Sequence, residues 1–155
     1  MSTAPDTPDA PEGPSDILNR RHIAAPPQAV FAAFAAERLA RWWGPAGFRS
    51  TFHQYEFRNG GRWKLTLHAP DGAEYPNENT FAQVREPSLV VVRHDGAPHG
   101  FTLRIDLQPD GAGTAVTWRQ RFDSVQERDK VVDACRGFNE QNLDRLQAEV
   151  AAGAT

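Results

Sequence analysis

SVQERDKVVDACRGFNEQNLDRLQAEV, residues 124–150, reads as one long amphipathic helix. Ser124 and Glu127 have the S-x-x-E spacing of a capping box, in which each side chain serves an orphan amide of the first turn. Val131, Val132, Cys135, Phe138, Leu143, Leu146 and Val150 then recur at three- and four-residue steps and fall along one broad face. Two features interrupt that face. Gly137 sits mid-helix, where it costs about 1 kcal/mol relative to Ala. Asn139 and Asn142 lie on or beside the stripe, where an apolar residue is expected. Small and amide residues on the buried side of a helix mean either close packing or a wall with space behind it. At about 1.5 Å per residue the helix runs about 40 Å, and its stripe needs a large surface to rest on.

The chain upstream supplies one. Asp16 to Ala25 reads as a first strand, stopped by Pro26-Pro27. Gln28 to Ala36 and Glu37 to Trp43 read as two short helices, the second ended by Gly44-Pro45. From Phe48 the apolar period becomes two, with turn residues at short intervals. Phe48–Phe57, Arg62–His68, Glu74–Arg85, Leu89–His94, Phe101–Leu107 and Thr114–Phe122 read as six strands of an antiparallel meander. Asn59-Gly60 marks a tight hairpin because that pair accepts positive φ. Clean alternation makes each strand wet on one face and dry on the other. The expectation is an α+β fold, a seven-stranded curved antiparallel sheet wrapped on the long C-terminal helix. Two short helices after the first strand plug one end, and an apolar cavity lies between sheet and helix.

The chain has 155 residues, 39% hydrophobic and 24% charged, ordinary values for one soluble domain. Residues 1–14 are Pro-rich and acidic and read as a disordered, polyproline-II-like tail or a docking peptide, with the folded domain over 15–152. Asp6, Asp9 and Glu12 account for the whole net charge of -3. The folded part is therefore near neutral, which argues against nucleic acid, whose binding needs a basic patch, and against an anionic membrane surface. One cysteine, Cys135, excludes an internal disulfide. With no apolar run long enough for membrane insertion and no signal peptide visible, the expected location is cytoplasmic. A homodimer stays open.

Four runs carry a further likeness. FAAFAAERLARWWGPAGF (31–48), FRNGGRW (57–63), PDGAEYPN (70–77) and GFNEQNLDRL (137–146) together resemble the START-related, birch-pollen-allergen-like superfamily. More closely, they resemble its bacterial homologues of the heat-shock chaperone ATPase activator. The resemblance covers about residues 16–150. It implies the helix-grip fold and an internal pocket for apolar or amphipathic small molecules, such as a lipid or an aromatic metabolite. It implies no shared catalytic set. The eukaryotic proteins behind the name also carry a separate chaperone-binding domain, for which these residues have no room, so chaperone activation is the weaker expectation. An enzyme of the same fold, such as an aromatic polyketide cyclase or hydrolase, is the other alternative.

The residues that suit such a pocket are aromatic, aliphatic and amide. Trp42 and Trp43 are adjacent on a helix and point about 100° apart; either both are core, or one packs inward while the other lines the pocket mouth. Trp63, Leu65, Phe101, Leu103, Trp118 and Phe138 are core or pocket wall. Tyr75, Asn77 and Asn79 alternate into Phe81, so all face the helix if Phe81 does; a bulge in that strand would reverse them. With Asn142 they either orient a ligand or satisfy one another. The only acid or base candidates are His53, Glu56 and His94, and Cys135 is a small buried hydrophobe rather than a nucleophile. The remaining histidines, His22, His68 and His99, form no zinc spacing with these. Neither a metal nor a cofactor is expected.

Overall fold

The computed structural model describes residues 8–96 and 100–153. The elements in chain order are β1 (Asp16–Ile23), α1 (Pro27–Ala32), α2 (Ala36–Trp42), β2 (Arg49–Tyr55), β3 (Arg62–His68), β4 (Glu74–Arg85), β5 (Leu89–His94), β6 (Phe101–Asp110), β7 (Gly113–Phe122) and α3 (Val125–Gly153). They form one antiparallel sheet in the order β1-β7-β6-β5-β4-β3-β2, so the first strand closes onto the last. This is the expected α+β helix-grip architecture. Its strands are shorter than expected at two ends: β1 stops at Ile23 and β2 at Tyr55.

The β2–β3 turn shows why β2 ends there. Gly60 adopts φ 78°, and a Cβ on Gly61 would lie 1.9 Å from the Glu56 carbonyl oxygen. The chain therefore folds tightly onto itself from Glu56 onward, and only glycine tolerates both positions. The turn also docks on β4. Gly60 N donates to Phe81 O at 2.7 Å, Phe81 N to Gly61 O at 2.8 Å, and Val84 N to Asn59 Oδ1 at 2.6 Å. These bonds satisfy backbone around a bulge in β4 between Phe81 and Gln83. Because the bulge follows Asn79, residues 75, 77 and 79 keep the parity of buried Phe81.

The dry face packs on an aromatic cluster. Phe34 meets Trp42 edge-on at 5.2 Å and stacks on Phe57 at 5.9 Å. Trp63 stacks on Phe81 at 5.5 Å and meets Trp43 at 4.9 Å. Trp43 in turn touches Trp118 at 5.7 Å. Rings from α2, β3, β4 and β7, and from the segments that follow α1, α2 and β2, thus fill most of the hollow that the sequence predicts as open cavity.

α3 departs from its predicted stripe. Ser124 Oγ accepts from Glu127 N at 3.1 Å, so the cap forms. Leu143, Leu146 and Val150 are buried, as the pattern requires. Val131, Val132 and Cys135 are only half-buried, and Phe138 is 47% exposed. The reason is the polar seam with β1. Arg128 Nε donates to Asp16 O at 2.9 Å, Arg136 Nη1 to Leu18 O at 3.2 Å, and Asn19 Nδ2 to Glu140 Oε2 at 2.7 Å. These contacts hold the first half of α3 along the edge strand and turn its stripe partly outward.

Of the predicted N-terminal tail, residues 1–7 lie outside the described residues, as does His99. Residues 8–14 lie against the body. Glu12 accepts from Leu18 N at 2.8 Å and from Arg136 Nη1 at 2.8 Å. Arg119, whose side chain is buried, donates to Pro11 O at 3.0 Å and to Asp16 Oδ2 at 2.8 Å.

Candidate functional site

A cleft of ≈ 150 Å³ remains between the sheet and the middle of α3. Its apolar walls come from Trp43, Pro45, Leu67, Phe101, Leu103 and Trp118, and its polar ones from Asn77, Gln120, Asn139 and Asn142. Among the described residues no charged side chain lines it. Drug-sized ligands need roughly 300–1,000 Å³, so the opening is smaller than the sequence predicts. It matches instead a void of about 150 Å³, which is known to hold one benzene molecule.

The wall at Trp43 is built by α3. Asn142 Nδ2 donates to Trp42 O at 2.8 Å, and Asn142 Oδ1 accepts from Gly44 N at 3.3 Å. Arg145 Nη1 donates to Trp43 O at 3.1 Å, Gly44 O at 2.9 Å and Pro45 O at 3.0 Å. These bonds satisfy the carbonyls released where α2 ends and fix Trp43 against the cleft. Trp42 turns the other way, 1% exposed, and its Nε1 donates to Ala33 O at 2.8 Å. Of the two Trp readings, the split arrangement is the one present.

The predicted site residues therefore divide. Trp43, Asn77, Phe101, Leu103, Trp118 and Asn142 meet at the cleft. Trp42, Trp63, Leu65 and Phe81 are core, below 2% exposed, behind it. Two positions are corrections. Phe138 faces out because the polar seam rotates its half of α3. Tyr75 is 50% exposed because β4 runs past the end of β5, so that it pairs with β3 alone, with the Phe48 ring 6.4 Å away. Asn142 lines the cleft but spends both ends of its amide on backbone. Sequence reasoning missed Gln120 and Arg145. Gln120 was legible from strand parity, two residues past Trp118; it accepts from Asn139 Nδ2 at 3.1 Å. Arg145 carries no sequence signal beyond being one more helix cation.

The acid and base candidates also divide. His53 Nε2 lies 2.8 Å from Thr66 Oγ1 on the wet face. Glu56 is a turn residue whose carboxylate accepts from Arg62 N at 2.9 Å, a bond that holds it below its ordinary value. His94 comes to the dry face: Nδ1 lies 2.8 Å from Asn79 Oδ1, and the ring stacks on Phe101 at 4.9 Å. Burial pushes its pKa below the ordinary imidazole value, opposed by Asp95 and assisted by Arg93. Cys135 is half-buried and burial raises its thiol, which leaves it a poor nucleophile. Among the described residues no cluster of three or more His, Cys, Asp or Glu could hold a metal, and no helix is long and apolar enough to cross a membrane.

A curved antiparallel sheet gripping one long helix, with a small mixed cleft between them, defines a helix-grip protein. The chain belongs to the family described as Activator of Hsp90 ATPase homolog 1-like protein, which it matches over residues 24–151. A crystal structure of a Nitrosomonas europaea protein is similar, with a TM-score of 0.82 at 19% identity, covering 93% of this chain and 99% of that one. A Chromobacterium violaceum protein gives 0.78 at 25% identity, covering 89% and 98%. The AHSA1 protein of Silicibacter pomeroyi gives 0.74 at 19% identity, covering 89% and 99%. At such identities the likeness establishes the fold. No curated protein matches the sequence.

Proposed function

We propose that this protein binds a small, largely apolar molecule of about one aromatic ring in the cleft between the sheet and α3. The observation that carries this reading is the cleft itself: ≈ 150 Å³, walled by two indoles and a phenyl ring, with four amide side chains and, among the described residues, no charged one. Aromatic faces suit a flat guest, and the amides orient one edge. The volume favours a single ring over a long acyl chain or a fused polyketide.

The test is a titration followed by ¹H–¹⁵N spectra of the tryptophan indoles. Monocyclic aromatics should shift the Trp43 and Trp118 N–H signals, while palmitate should leave them in place. If millimolar monocyclic compounds move neither signal, the reading is wrong. The family's description raises a second role, activation of a chaperone ATPase. Measuring Hsp90 ATP turnover with and without the protein separates the two, and no change in turnover is expected.

A further inference from the structure

Strand parity puts Trp118 and Gln120 of β7 on the dry face, where Gln120 lies between Ile17 of β1 and Leu103 of β6. Both neighbours are buried and apolar, so the sheet offers the Gln120 amide no side-chain partner. Gln120 is itself only 8% exposed, and it lines the cleft. One bond serves its side chain: Oε1 accepts from Asn139 Nδ2 on α3 at 3.1 Å. Asn139 lines the cleft as well. Among the described residues nothing accepts from Gln120 Nε2 and nothing donates to Asn139 Oδ1. Gln120 Nε2 is not sealed away from open space. A donor in apolar surroundings is costly to leave unpaired, so a guest that fills the cleft has to meet it.

The other amides of the lining are tied to backbone. Asn142 uses both ends of its side chain on Trp42 and Gly44. Asn77 holds its nitrogen against Tyr75 O at 3.1 Å. Arg145, behind the Trp43 wall, is spent on the carbonyls of Arg41, Trp43, Gly44 and Pro45. The Gln120–Asn139 pair is thus the part of the lining in which a donor and an acceptor both lack partners.

We propose that Gln120, tied to Asn139, determines the specificity of the cleft for a neutral single-ring amide. Gln120 Nε2 donates to the guest's carbonyl oxygen, and Asn139 Oδ1 accepts from its adjacent N–H. The proposal rests on the cleft reading above. The guest's ring lies against the Trp43 and Trp118 indoles. A ring without these groups leaves both side chains unpaired, and a site built to hydrogen-bond its ligand rejects the analogue that cannot. A carboxylate would be a buried charge facing an amide oxygen, with no cation among the described lining residues, which is costly.

2-Pyridone, whose carbonyl and N–H are adjacent on one ring, and toluene, of similar size, form the test pair. Their dissociation constants are measured by spectral titration on the full-length wild type, Q120L and the double variant Q120L/N139L. Leucine keeps the volume of either amide and removes its polar atoms. The ratio of toluene to 2-pyridone dissociation constants should fall by about fivefold in Q120L, the effect of one neutral hydrogen bond, while toluene affinity does not weaken. In the double variant, with both bonds gone, it should fall by about twenty- to thirtyfold. A second readout needs no variant: in ¹H–¹⁵N spectra of the wild type, the Gln120 side-chain NH₂ should move downfield on 2-pyridone, as a new N–H···O bond requires, and not on toluene. An unchanged ratio in a Q120L that still binds toluene overturns the proposal, as does a Gln120 NH₂ that 2-pyridone leaves in place. Toluene binding without 2-pyridone binding overturns it alone; failure of both to bind the wild type removes the cleft reading with it.

Discussion

Residues 142–150 of α3 place Leu143, Leu146 and Val150 in the core, whereas residues 125–141 of the same helix contain no fully buried side chain. The second half is held by apolar burial and by the clasp of Asn142 and Arg145 on segment 41–45. The first half is held by a polar seam: Arg128, Arg136 and Glu140 against the β1 backbone, Asn19 and Glu12. Each polar bond exchanges water for protein and nets about 1 kcal/mol, while each buried leucine contributes about 1.5–3 kcal/mol. One continuous helix thus has a firm end and a loosely tied end. The cleft lies at their junction, since Asn139 and Asn142 both line it. Segments tied mainly by exposed hydrogen bonds open at lower free energy than the core.

The largest expected difference comes from truncating the same stripe on either side of the junction. Leu146→Ala removes a side chain with 0% exposure and should cost about 2–5 kcal/mol in urea unfolding. Phe138→Ala removes a larger side chain that is 47% exposed and should cost no more than about 0.5 kcal/mol. Comparable losses at the two positions would show that the halves are equally packed.

A smaller effect of opposite sign is expected at Gly137. A Cβ added there meets nothing within 4 Å, so Ala brings helix propensity without a clash. Gly137→Ala should stabilise the protein by up to about 1 kcal/mol. Hydrogen exchange should slow most between residues 128 and 141, where the helix is least supported. A loss of stability would mean that Gly137 is in contact with something the fold does not place there.

These differences bear on what the sequence makes legible. Strand parity fixes the dry face residue by residue, because a one-residue slip would expose Phe81, Trp63 and Trp118 together. Asn77 and Asn79 were readable for that reason, and so was Gln120. Helix periodicity is less binding. Val131, Cys135 and Phe138 recur at the right spacing, but spacing says only that they share a face, not that anything covers it. The deciding contacts are long-range and polar, such as Asn19 to Glu140 and Glu12 to Arg136, and no local pattern announces them. The cleft's volume was illegible for a related reason. It depends on how the rings of Phe34, Trp42, Phe57 and Trp63 interlock, and ring packing follows rotamers rather than sequence spacing. Tyr75 has the right parity but lies beyond the end of β5, a fact of strand length that alternation does not carry.

The smallest expected effect tests the polar tie itself. Glu12 bridges β1 and α3, and its carboxyl is held below its ordinary value of 4.5, first by the hydrogen bond from Arg136, then by Leu18 N and the charges of Arg136 and Arg128, against opposing desolvation. A depressed carboxylate contributes stability that is present above its unfolded pKa and disappears as the pH falls through the folded value. Near neutral pH, Glu12→Gln should therefore cost about 0.2–1 kcal/mol, the range of solvent-screened ion pairs. It should speed exchange of amides around 128–138 while leaving 143–150 unchanged. Raising salt should shrink the difference, because the pair is partly exposed. Lowering the pH well below 4.5 should make wild type and variant converge, since both then carry a neutral group at position 12. A variant effect that persists in acid would show that the charge at position 12 does not carry the contribution, and a loss of protection spread evenly along α3 would erase the distinction between its two halves.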